Sequence, residues 1–145
     1  ELADHPLRGI EELDGALDLD SFRGFAQATV ARGRILRLHV ALSGLAAIPG
    51  HPAEAYFARH YHEAVREFTS IIATWQSAGL ADPRLDCAVA ARQVLATWDG
   101  LKLQWLVAPG FDVGEALVDA IRRLTGRDAM ETQHAVLTAL MQGQA

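Results

Sequence analysis

Between Pro52 and Gly79 the apolar residues recur at every third or fourth position, which is the spacing of one face of an α-helix. In helical projection one arc contains Phe57, Tyr61, Ala64, Phe68, Ile71, Ile72 and Trp75. The sequence therefore predicts one long amphipathic helix that ends near Ser77, because a glycine such as Gly79 commonly closes a helix. This is the clearest amphipathic pattern in the chain.

Five further helices are predicted on either side of this segment. They are expected from residue 21 to the break at Gly33, and over 34–48, 86–107, 113–124 and 129–141. Asp112 with Glu115, and Asp128 with Glu131, have the three-residue spacing of a capping box. Alternating β-branched runs and hairpin turn signals are absent from the sequence, so the predicted class is an all-α bundle of about six helices.

The composition is that of one soluble globular domain: 145 residues, half of them apolar and 21% charged. Residues 1–20 are interpreted as an acidic leader and 21–145 as the domain. The net charge of -5 argues against direct binding of nucleic acid. A single cysteine, Cys87, no signal-like start and no apolar run of about 20 residues predict a cytoplasmic protein with no membrane partner.

Catalytic and metal-binding motifs are weak. His60 with Glu63, and Glu131 with His134, have the spacing used in di-iron bundles, but such bundles need two Glu-x-x-His motifs and carboxylates from two more helices. Cys87 has no histidine near it in sequence, and no nucleophile elbow or phosphate-binding glycine loop is present. We expect no enzyme activity, metal or cofactor, with a small helical metalloenzyme kept as an alternative.

Several polar side chains interrupt otherwise apolar helix faces, among them His39, Tyr61, Thr97 and Gln104. A buried polar group is either satisfied by neighbouring backbone or offered to a ligand. Together with nearby aromatic residues they predict a mostly apolar ligand cavity between helices. The predicted ligand-binding residues are Phe22, Phe25, His39, Leu42, Tyr61, Phe68, Thr97, Trp98, Leu101, Gln104 and Trp105.

The expected ligand is a small, largely neutral, apolar or aromatic compound, because no charged residue is placed firmly on an inner face. His39 would be the group that pairs with an acid. A helical dimerisation module with a filled core and no effector is the competing interpretation.

The run from Trp98 to Pro109, WDGLKLQWLVAP, is followed by Phe111-Asp112-Val113 and a short amphipathic helix. It resembles the C-terminal domain of TetR-family transcriptional regulators. The segment HPAEAYF at 51–57, which leads into the long helix, is similar to the same family at the matching place. The resemblance covers the chain from about Phe22 to Leu124.

The resemblance implies a bacterial regulator, usually a repressor, in which a helix-turn-helix domain binds an operator and the C-terminal domain dimerises and takes up a small effector. Nothing before Phe22 has the pattern of a helix-turn-helix. Either operator DNA is bound only through a missing N-terminal domain, with residues 1–20 as the end of the connecting helix and the loop after it, or this homologue has lost DNA binding. Helices 86–107 and 113–124 match the pair that forms the homodimer interface. The expected interface residues are Gly100, Leu103, Val107, Leu117, Ile121 and Leu124.

Gly100 has two interpretations. In the homodimer it lets the helix approach its symmetry mate closely, because glycine has no side chain. Alternatively it packs against another helix of the same subunit.

Overall fold

The structure is a computed structural model that describes residues 18–143. Its elements are α1 (Leu19–Ala31), α2 (Gly33–Leu45), α3 (Glu54–Ser77), α4 (Cys87–Val107), α5 (Val113–Leu124) and α6 (Arg127–Gln142). The described part of the chain contains no strand, so the predicted all-α class with about six helices is confirmed. The predicted leader lies outside the described residues over 1–17, and the end of the predicted domain does so over 144–145.

Aspartates set the starts of three helices by accepting backbone N–H groups that have no partner within the helix. The Asp86 carboxylate accepts from the amides of Ala88 and Val89 at 2.9 and 3.0 Å, and Asp112 does the same for α5. Asp18, which the prediction assigned to the leader, caps α1 through the Ser21 amide at 2.9 Å. The helix therefore begins at Leu19, two residues earlier than predicted.

The predicted capping box of Asp128 and Glu131 is wrong. α6 begins at Arg127, directly after Gly126, whose φ of 68° is in the left-handed region. A Cβ at Gly126 would lie 2.8 Å from the Asp82 Cβ, so the turn has room only for glycine. Asp128 consequently lies inside the helix, where its carboxylate accepts from Arg122 Nε at 2.5 Å instead of capping.

Helix α4 lies at the centre of the bundle, in contact with α3, α5 and α2. α1 packs on α5 and α2, and α6 packs on α5. The buried core contains Phe22, Ala26, Leu36, Phe68, Ile72, Trp75, Ala91, Val94, Trp98, Leu106, Leu117 and Ile121.

Helix α2 packs differently from what its apolar spacing indicates. Ile35 and Leu38, which the sequence places on one apolar face with Leu42, are 56% and 61% exposed. Leu36 is the residue that α2 buries. The apolar periodicity identified a real stripe, but α2 meets the bundle through the neighbouring edge of the helix, so most of that stripe faces outward.

The start of α5 crosses α1 closely at Gly114. A Cβ there would lie 2.9 Å from Arg23 Cγ and 3.1 Å from the Arg23 carbonyl oxygen. We expect Gly114→Ala to lower the free energy of unfolding by about 1–3 kcal/mol, because the extra methyl group forces two helices apart. Urea unfolding followed by circular dichroism measures the change.

Gly24 on α1 is the matched control, since a Cβ there would meet nothing within 4 Å. Gly24→Ala should raise stability by up to about 1 kcal/mol through helix propensity alone. Equal effects of the two substitutions would contradict the close approach at Gly114.

Candidate functional site

A cleft of about 290 Å³ opens between α2 and α4. It is lined by Val40, Ser43, Gly44, Asp99, Gly100, Lys102 and Leu103. The two glycines leave the space open: a Cβ at Gly44 would meet nothing within 4 Å, and one at Gly100 only Gln104 Nε2 at 4.0 Å. The volume lies just below the usual range for small-molecule sites, about 300–1,000 Å³.

Lys102 is a charged residue that is only 5% exposed. Its Nζ lies 2.7 Å from Asp99 Oδ1 and 5.4 Å from the centre of the Trp98 ring. Burying an ammonium costs several kcal/mol unless it is paired, and both the carboxylate and the ring face offset that cost. Within the described part of the chain, Asp99 supplies the one oxygen acceptor for this ammonium.

Tyr61 joins α3 to this ion pair. Its hydroxyl donates to Asp99 Oδ2 at 2.7 Å, so the two carboxylate oxygens hold two different donors. The pKa of the Tyr61 phenol is raised well above its usual range, chiefly by burial and then by the hydrogen bond and the negative charge of Asp99. Tyr61 is 37% exposed and stays a protonated donor at neutral pH.

His60 precedes Tyr61 on α3 and lies near the charges of Lys102 and Asp99. Its ring centre lies 5.3 Å from those of His39 and Tyr61, and its Nδ1 is buried without a hydrogen-bond partner among the described residues. Burial lowers the pKa of His60, and the charge of Lys102 lowers it further, while Asp99 and Glu63 oppose the shift. The imidazole is therefore neutral near pH 7.

The aromatic residues of the predicted cavity pack against one another. Phe22 and Phe68 are buried with ring centres 5.3 Å apart, and Phe22 lies 6.0 Å from Trp75. The ring centres of Phe25 and Trp98 are 5.7 Å apart. These are the distances of packed aromatic pairs. These rings form part of the core, and no predicted ligand-binding residue lines the α2–α4 cleft, so their role in ligand binding stays a prediction.

The other predicted ligand residues are spread over several environments. His39 is half-buried and its ring lies 5.2 Å from that of Phe57. The Thr97 hydroxyl donates to the Gln93 carbonyl at 2.9 Å, so its own helix satisfies it. Gln104 is exposed. Partly buried positions are held by Leu42, Leu101 and Trp105.

The predicted interface residues divide into two groups. Leu117 and Ile121 are buried in the core of the single chain, so their assignment to a dimer interface is wrong. The reason is that α5 turns its apolar face toward α1 and α4 of the same chain. Leu103 and Val107 are exposed, Val107 by 75%. Their place at an interface stays a prediction.

Two further interface candidates lie between these groups. Leu124 is partly buried against the core. Gly100 lines the cleft with open space at its Cβ position, so the alternative that it packs closely on another helix of the same subunit is wrong.

Sequence reasoning missed the buried charge. It expected no charge on an inner face, and this expectation is wrong, because Lys102 is buried. The sequence did contain a sign of this ion pair, because Asp99 and Lys102 are three residues apart in a helix whose other residues are mostly apolar or small.

No family model, curated protein or solved structure matches the chain. Within residues 18–143 no group of three or more histidine, cysteine or acidic side chains is arranged to hold a metal ion. In the same part of the chain, none of the helices combines the length and the apolar character needed to cross a membrane. The resemblance to TetR-family regulators therefore stays a prediction.

The lowered pKa of His60 makes the stability of the fold depend on pH. The unfolded chain, with a histidine pKa near 6.5, binds a proton more readily than the folded chain does. Stability is therefore fully present above that pH and declines as the pH falls through it toward the lower folded pKa. We expect the free energy of unfolding to fall between pH 7.5 and 5.5, by about 1.4 kcal/mol for each pKa unit of lowering.

His60→Phe should flatten this part of the pH profile, because phenylalanine keeps the ring packing and has no proton to bind. Urea titrations at the two pH values measure the difference, with exposed His62→Gln as the control. An identical loss on acidification in His60→Phe and the unmodified chain would exclude His60 as its source.

Proposed function

We propose that this chain is the effector-binding and dimerisation domain of a TetR-like transcriptional regulator and that the effector occupies the α2–α4 cleft. The observation that carries the proposal is a cleft of small-molecule size that has a buried ion pair, Lys102 with Asp99, in its wall. A mostly apolar concavity with a few polar groups is the usual make-up of a ligand site. The sequence resemblance over Trp98 to Pro109 supplies the regulatory role.

The position of the cleft suits a sensor because it is shared by three helices. α2 and α4 form its walls, and Tyr61 of α3 reaches it through Asp99. α2 buries Leu36 alone, whereas α4 buries six of its residues. A ligand shifts a conformational equilibrium only through a difference in affinity for two states. A movement of the lightly packed α2 against α4 provides two such states.

The direction of transmission also fits a regulator. α2 follows α1 directly and contacts it. α1 is the described helix nearest to residue 1, where the proposed DNA-binding domain would precede it. A ligand that repositions α2 would therefore act on α1 and change the spacing of two DNA-binding domains in a dimer, which would release the operator of a cytoplasmic repressor.

Homodimer formation is supported by the apolar surface that the single chain leaves uncovered. Leu103 and Val107 are exposed on α4. α6 exposes Val136, Leu137, Leu140 and Met141. Contiguous exposed apolar side chains of this kind mark contact sites for other molecules.

The dimer is tested by a double substitution, Leu103→Glu with Val107→Glu. We expect the unmodified chain to sediment as a dimer at micromolar concentration and the double variant as a monomer, because two buried carboxylates oppose association. Val89→Glu, at an exposed position near the other end of α4, is the matched control and should remain dimeric. A monomeric unmodified chain would contradict the dimerisation role.

The regulatory role is tested in the gene. We expect the reading frame upstream of the codon for Glu1 to encode a helix-turn-helix of roughly 50 residues. Its basic residues would supply the phosphate contacts that this acidic chain lacks. An upstream frame with no such segment would remove the regulator from consideration whatever the cleft binds.

A further inference from the structure

We infer that the α2–α4 cleft binds a short amphiphilic carboxylate, with the carboxylate on Lys102 Nζ and the apolar chain along Val40 and Leu103. The inference rests on the proposed effector site and names its ligand class. It also corrects the expectation of a neutral ligand, because that expectation assumed an interior without charge.

The first step is the number of donors on Lys102. An ammonium carries three N–H donors, and buried donors are nearly always satisfied. Asp99 Oδ1 is the single oxygen partner of this ammonium within the described residues, and the side chain is only 7% exposed, so it is largely shielded from bulk water. Lys102 lines the cleft. An acceptor that enters the cleft would therefore meet a largely buried cation and replace cleft water on the donors that Asp99 does not take up.

The second step concerns the sign of the ligand charge. Asp99 already accepts from both Lys102 and Tyr61, so an amine would add a third donor to a carboxylate in use and a second cation beside a buried one. The Asp99 side chain is 34% exposed, so water solvates its charge far better than that of Lys102. A bound carboxylate therefore gains more from Lys102 than it loses to Asp99.

The third step concerns the rest of the ligand. Val40 and Leu103 supply apolar side chains from opposite walls, and Gly44 and Gly100 leave the floor open. A volume of about 290 Å³ suits a chain of a few methylene groups and excludes a long-chain lipid. Burial of each methylene group contributes about 0.8 kcal/mol, so chain and head group both favour binding.

Isothermal titration calorimetry of the full chain with three six-carbon probes tests the inference. We expect hexanoate to bind at least tenfold more tightly than 1-hexanol or hexylamine, which have the same chain and differ in head-group charge. Equal or tighter binding of either of those two would overturn it, as would no binding of hexanoate at millimolar concentration.

Variants locate the site. Lys102→Met keeps the length of the side chain without the charge and should weaken hexanoate binding at least tenfold. Arg92→Met, an exposed position on the same helix, changes the net charge equally and should leave the dissociation constant within twofold. Unchanged binding in Lys102→Met would overturn the inference.

Two further substitutions test the location of the hexanoate site even if Lys102→Met fails to fold. Gly44→Leu fills the cleft from an unobstructed position and should abolish hexanoate binding without altering any charge. Asp99→Asn releases Lys102 from its ion pair and should tighten hexanoate binding, whereas weaker binding would assign the anchor to Asp99.

The two proposals fail separately. Hexanoate binding by a monomeric chain with no upstream helix-turn-helix would leave the carboxylate site standing and remove the regulator. A dimer with an upstream helix-turn-helix and no affinity for hexanoate would keep the regulator and remove the carboxylate as its ligand.

Discussion

The structure depends on how α4 accommodates a lysine among apolar neighbours. α4 packs against α3, α5 and α2, and Lys102 lies on the side of the helix that this packing covers. At Lys102 the cost of burying a cation is offset by Asp99 one turn earlier in the same helix and by the ring of Trp98. Tyr61 then fixes Asp99 from α3. The ion pair and its hydrogen bond from Tyr61 thus add a polar link between α3 and α4 and give the cleft its polar character.

The other end of the bundle is held in a different way. Arg23 of α1 pairs with Glu115 of α5, and Arg122 of α5 pairs with Asp128 and Glu131 of α6. These pairs are partly exposed and contribute little energy individually. The ion pairs connect α5 to α1 and to α6. Helix α2, by contrast, buries only Leu36 and contacts α3 through the ring of His39. Ion pairs therefore join α1, α5 and α6, whereas α2 is packed more lightly, and the cleft lies between α2 and α4.

Local rules in the sequence predict the helices well and the site poorly, for a physical reason. The caps at Asp86 and Asp112 depend on neighbours two or three residues away, so spacing alone identifies them. The burial of Lys102 depends on α2 and α3, and its network includes Tyr61, which is 38 residues from Asp99. Periodicity also cannot tell which neighbour covers an apolar face. α5 has a pronounced apolar face, which the sequence prediction assigned to a dimer interface but which packs on α1 and α4 of the same chain.

The arrangement around Asp99 has a consequence for how binding would be communicated. The two oxygens of this carboxylate serve donors from two helices, Lys102 on α4 and Tyr61 on α3. In the proposed complex a ligand carboxylate shares the positive charge of Lys102 with Asp99, which weakens the attraction between that cation and Asp99. Asp99 then relies more heavily on Tyr61, so a ligand that touches only α2 and α4 alters the contact between α4 and α3. Because the phenol of Tyr61 stays protonated, this coupling operates at neutral pH through hydrogen bonding alone.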